Sequence, residues 1–114
     1  GYGQEHGEGR GLGYNLNLPL PRGTGDEAFL KALDTALAQV SNFGADVLVV
    51  ALGLDASIDD PFQGFAVTQD GFAAIGAAMT GLNIPVLFVQ EGGYLSDTLG
   101  INLTRVLAGY QEAL

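Results

Sequence analysis

The sequence predicts an α/β fold in three layers, with a parallel sheet of about three strands and crossover helices packed on it. Three observations carry this. Two apolar runs, "DVLVVAL" (46–52) and "IPVLFVQ" (84–90), are β-branched and without polar alternation, the pattern of strands covered on both faces of a parallel sheet. Segments with apolar residues at helical spacing separate and follow them. The resulting order, strand, helix, strand, helix, strand, helix, is the one that right-handed crossovers join into parallel strands.

Each element has its own local reason. Residues 1–13, "GYGQEHGEGRGLG", are glycine-dense and lack a hydrophobic period, which predicts an irregular loop. In "YNLNLPL" (14–20) Asn15, Leu16, Asn17 and Leu18 alternate with period two, and Pro19 and Pro21 restrict the segment to an edge strand. Asp26 is a suitable N-cap for a helix over 27–43, in which Phe29, Leu30, Leu33, Ala36, Leu37, Val40 and Phe43 recur on one face until Gly44 stops it. After the strand at 46–52 and a loop over 53–68, Thr68 can cap a second helix running to about Thr80, with Gly81 as its stop. The strand at 84–90 precedes a third helix from about Asp97 to Ala113, with Leu99, Leu103, Val106, Leu107 and Tyr110 on one face.

No repeat or linker interrupts this order, so residues 1–114 are expected to form a single α/β unit: a Gly/Pro-rich loop and edge strand over 1–25, then βα repeats over 26–114. A chain of 114 residues is long enough to bury about two-thirds of its extended surface, and 47% hydrophobic with 15% charged residues is a globular composition. Thirteen acidic residues oppose four basic ones (Arg10, Arg22, Lys31, Arg105), and the net charge of −9 disfavours nucleic acid. Such acids ordinarily form a solvated face, although they also attract cations. With no cysteine there is neither a disulfide nor a thiolate site. The apolar runs fall far short of the ~20 residues needed to span a bilayer. No membrane partner is therefore expected, and a cytoplasmic location is the default.

In an open parallel sheet, ligands collect beyond the carboxyl ends of the strands. Asp55 and Tyr94 both lie just past such ends, each near glycines, in "ALGLD" and "VQEGGY". A carboxylate there can hold a divalent metal, or simply cap a turn. A phenol there can donate a proton to a developing oxyanion, or simply pack. Other chemistries find no support. "GRGLG" precedes a strand and not a helix, there is no P-loop, and Ser41, Ser57 and Ser96 sit in no nucleophile elbow.

Taken together, "GEGRGLGYNLNLPLPRGTGD", "GLDASIDDPFQGFAVTQDGF" and "QEGGY" are similar to the C-terminal portion of the arginase-like zinc deacetylases, the superfamily of histone deacetylases and acetylpolyamine amidohydrolases. The resemblance covers essentially the whole chain and looks closest to the acetylpolyamine amidohydrolases and related bacterial or class II deacetylases. It implies that Asp55 is a metal ligand, that Tyr94 polarises the acyl carbonyl, and that Phe62, Gly92 and Gly93 line the substrate tunnel. Phe62 stands where the family usually has Leu or Met. The family's metal is Zn²⁺, which activates water for amide hydrolysis. The family also uses a His–His pair and an Asp-x-His pair, and this chain has a single histidine, His6, in the glycine-rich loop at no ligand position.

The expectation is therefore a C-terminal segment of a zinc-dependent amidohydrolase acting on acetylated amines (acetyl-lysine or acetylpolyamine). Alone it should be inactive, hold no Zn²⁺ tightly and form a homo-oligomer. The alternative is a non-catalytic, self-associating α/β module derived from a truncated deacetylase gene, burying surfaces otherwise covered by the absent part.

Overall fold

The structure is a computed structural model that describes residues 1–114. The helix predicted at 27–43 forms as α1 (Asp26–Phe43), and Gly44 ends it in the left-handed conformation, φ 74°. Its start differs from the expected cap. Gly25 occupies the N-cap position, and Asp26, the first helical residue, turns its carboxylate away to accept hydrogen bonds from Thr68 N–H (2.8 Å) and Thr68 Oγ1 (2.5 Å). Thr68 in turn accepts from Gly71 N–H at 3.1 Å and caps α2 (Gln69–Met79), as expected for it. One carboxylate thereby ties the starts of two helices together.

The apolar runs form β1 (Leu48–Leu52) and β2 (Val86–Gln90), paired in parallel with Leu48 opposite Val86, Val50 opposite Phe88 and Leu52 opposite Gln90. The last helix, α3 (Leu99–Ala113), begins two residues later than predicted, 99 against 97. The sheet has two strands and not about three. The missing one is the edge strand expected at 14–20. There the period-two asparagines find no neighbouring ladder, and their amides turn back on the glycine-rich loop: Asn15 Nδ2 donates to Glu5 O (2.9 Å), Asn17 Nδ2 to Tyr2 O (3.0 Å).

The core lies on one side of the sheet. Leu48, Val50, Val86 and Phe88 point into it, where Phe72, Ile75 and Met79 of α2 and Val106 of α3 are buried with Leu52, Leu54, Ala56 and Val67. Helices α2 and α3 approach backbone to backbone. A Cβ on Gly76 would collide with the Val106 carbonyl, and one on Gly109 with the Ala73 carbonyl. The opposite face of the sheet is open: Val49 is 60% exposed, Leu87 55% and Val89 40%. The expectation of strands covered on both faces thus holds for one face only in this chain. No helix is long and apolar enough to cross a membrane.

Candidate active site at the carboxyl ends of the strands

The two strands do not separate where the regular ladder stops. Glu91 N–H donates to Leu52 O (3.0 Å) and Leu54 N–H to Gly92 O (2.9 Å), so both outgoing loops leave the sheet side by side. In the first loop, Leu54–Ala56 closes a single 3₁₀ turn. Leu54 (1% exposed) and Ala56 (8%) anchor it in the core, which leaves the intervening Asp55 facing outward.

Asp55 comes to rest between two glycines. A Cβ on Gly53 would lie 2.6 Å from its Oδ1, and one on Gly92 would lie 2.5 Å from Oδ1 and 3.1 Å from Oδ2. Any side chain at Gly92 would displace the carboxylate. Gly93 has a different reason to be glycine. Its φ of 126° suits no L side chain, and a Cβ there would press on Leu99 Cδ1 (2.8 Å) and Leu54 Cβ (2.9 Å). The pair of glycines thus makes room for Asp55 and then reverses the chain into Tyr94.

Tyr94 is half exposed, and its ring meets Phe62 edge to face, with centroids 4.8 Å apart and planes at 73°. Phe62 is itself held at its backbone. Its N–H donates to Oδ2 of buried Asp60 (2.8 Å) and its carbonyl accepts from the Arg22 guanidinium (2.6 Å). The phenol makes no intramolecular hydrogen bond, so it is available to a ligand. Asp55, Gly92, Gly93, Tyr94 and Phe62, singled out in the sequence, are therefore brought to one place. His6 is exposed in the loop preceding residue 13 and takes no part.

Several supporting residues were not singled out in the sequence. Asp60 forms an Asx turn that aims Phe62, for which the Asp-Pro dipeptide is a visible turn signal. Ser57, Asp59, Thr98 and Asn102 form a further network beneath the Asp55 loop, in which Asn102 donates to Ser57, 45 positions away, and Thr98 to Asp59, and no local pattern announces it.

The donor set does not suffice for zinc by itself. A catalytic zinc normally has three protein ligands, and no group of three or more His, Cys, Asp or Glu side chains in this chain is placed to hold a metal. Asp55 can contribute one.

Comparison with known proteins points to one family. A family model described as the histone deacetylase domain matches residues 1–110. Acetylpolyamine amidohydrolase 1 of Pseudomonas aeruginosa is 39% identical over 113 residues, covering 99% of this chain and 33% of that protein. The acetylpolyamine amidohydrolase of Burkholderia pseudomallei is 43% identical over 110 residues, 96% of this chain and 32% of that protein. The crystal structure of the Burkholderia pseudomallei acetylpolyamine aminohydrolase superposes with a TM-score of 0.93 at 42% identity over 99% of this chain and 33% of that one. A histone deacetylase homologue complexed with SAHA gives 0.82 at 29% identity over 99% of this chain and 30% of that one. The chain spans about one third of the length of the curated relatives it matches. The match of the family model to residues 1–110, with a fold this similar, shows the family: the chain belongs to the histone deacetylase domain family.

Proposed function

We propose that this chain is the C-terminal part of a zinc-dependent amidohydrolase that deacetylates acetylated amines, acetyl-lysine or acetylpolyamine. The observation that carries the reading is the lodging of the Asp55 carboxylate against Gly92, in the loop that delivers Tyr94, at the carboxyl ends of both strands. Asp55 is one metal ligand. Tyr94 donates its phenolic O–H to the substrate carbonyl as that oxygen gains negative charge, an interaction stronger in the transition state than in the ground state. Phe62, Gly92 and Gly93 form part of the wall along which the acyl group lies. The names of the bacterial relatives and the net charge of −9 both favour a cationic amine.

The remaining metal ligands and the acid–base histidines lie outside these 114 residues, since a single histidine and one suitably placed carboxylate cannot provide them. The chain alone is accordingly silent. The test is to join it to the part of the Burkholderia pseudomallei amidohydrolase that it does not match. The joined polypeptide is expected to bind zinc and hydrolyse an acetylated polyamine, with activity lost to a chelator. A folded, zinc-bound polypeptide without hydrolysis contradicts the reading.

A second reading is supported by the open sheet face, where Val49, Leu87 and Val89 are exposed together. In that reading the chain persists as a non-catalytic module that self-associates through this face.

A further inference from the structure

The Asp55 loop and the Tyr94 loop are both reached by one helix. Helix α3 starts shortly after Tyr94, and its buried stripe comprises Asn102, Val106 and Gly109. Asn102 is 1% exposed. An amide in such a stripe costs stability unless it is hydrogen-bonded, so its partner is informative. Asn102 Nδ2 donates to Ser57 Oγ at 3.0 Å. Ser57 is itself 4% exposed, and its Oγ also accepts the Asp59 N–H at 3.2 Å. The Ser57 N–H donates to Leu54 O (3.2 Å), which closes the turn containing Asp55. Nearer the start of α3, Thr98 Oγ1 donates to Asp59 Oδ2 at 3.0 Å. Two side chains of one helical segment therefore grip the segment that presents Asp55.

We propose that Asn102 is a positioning residue: by tying Ser57 to α3, it fixes the Asp55 turn relative to the loop that carries Tyr94. The proposal rests on reading Asp55 and Tyr94 as members of one deacetylase site, but the geometry it asserts is measurable without catalysis. Replacing a residue needed only to fill the stripe by an apolar one of similar volume disturbs no more than its own hydrogen-bond partner. Loss of a positioning amide is felt further, at groups to which it makes no hydrogen bond.

The experiment is amide hydrogen exchange and ¹H–¹⁵N NMR on the 114-residue chain carrying Asn102→Leu, Ser57→Ala or both. In Asn102→Leu, α2 and most of α3 are expected to keep their protection. The Ile58 and Asp60 amides, bonded to Val67 O and Ser57 O, should exchange about tenfold faster, the scale of one lost buried hydrogen bond. The Gly92 and Tyr94 signals should move. Ser57→Ala should show the same changes together with a further one at the Asp59 amide, whose bond to Ser57 Oγ it also removes, and the double variant should add nothing to Ser57→Ala. Wild-type signals at Gly92 and Tyr94 in the single variants, or effects that add independently, overturn the proposal. Should Asn102→Leu fail to fold, Ser57→Ala decides alone by the same signals. Shifted signals with an inactive joined enzyme count against the function and not the brace; unshifted signals in an active enzyme count against the brace alone.

Discussion

At Gly92 and Gly93 two adjacent glycines answer two different demands. Gly92 leaves space for a carboxylate whose Oδ1 would lie 2.5 Å from any Cβ there, while Gly93 supplies a φ of 126°. Gly93→Ala is accordingly expected to destabilise the chain by about 1–3 kcal/mol through backbone strain and overpacking, read as a lower urea midpoint at unchanged slope. Asp55 and Tyr94 were legible in the sequence because a strand end, a glycine and a functional side chain are neighbours along the chain. Phe62 was legible only through the family resemblance, and its contact with Tyr94 was not. Asn102 was not legible, because an asparagine within an amphipathic helix reads as a solvated residue and its partner Ser57 lies 45 positions away.

At the scale of elements, helices were the most readable: apolar period and the Gly44 stop agreed for α1, and the Thr68 cap for α2, although the stop expected at Gly81 falls inside a 3₁₀ turn (Thr80–Leu82) that Asn83 ends in the left-handed conformation. The segment at 14–20 was misread for a physical reason. Alternation records which side chains share a side, but a strand also needs a partner ladder, and the Asn15 and Asn17 amides found the loop at 2–5 instead. The cap of α1 was misplaced by one residue because Asp26 serves Thr68 across the chain and not its own helix. Asp26→Ala removes both of those bonds and should cost about 1–3 kcal/mol in thermal or denaturant unfolding, the range for orphaning a part-buried donor pair. The α2–α3 contact makes a second prediction. Gly109→Val inserts atoms where the Ala73 carbonyl sits and should destabilise by about 1–3 kcal/mol or more, whereas Gly100→Ala, with open space around it, should be neutral or stabilising.

For the whole molecule, only 15 of 114 residues are buried and one face of the sheet is uncovered, which leaves Val49, Leu87 and Val89 exposed on it. On a sizing column it is expected to elute larger than a monomer, and Leu87→Lys together with Val49→Lys should shift it toward monomer; an unchanged profile argues against this face as the contact. The strands' apolar runs predicted cover on both faces of the sheet, and the chain covers only one. The account depends most on the division of labour between Asp55 and Tyr94, and zinc content measured beside turnover in the joined polypeptide tests it. Tyr94→Phe should retain zinc and lose turnover by about a hundredfold or more, the scale of one oxyanion donor, while Asp55→Asn should lose the zinc itself. Full turnover in Tyr94→Phe, or stoichiometric zinc in Asp55→Asn, contradicts it.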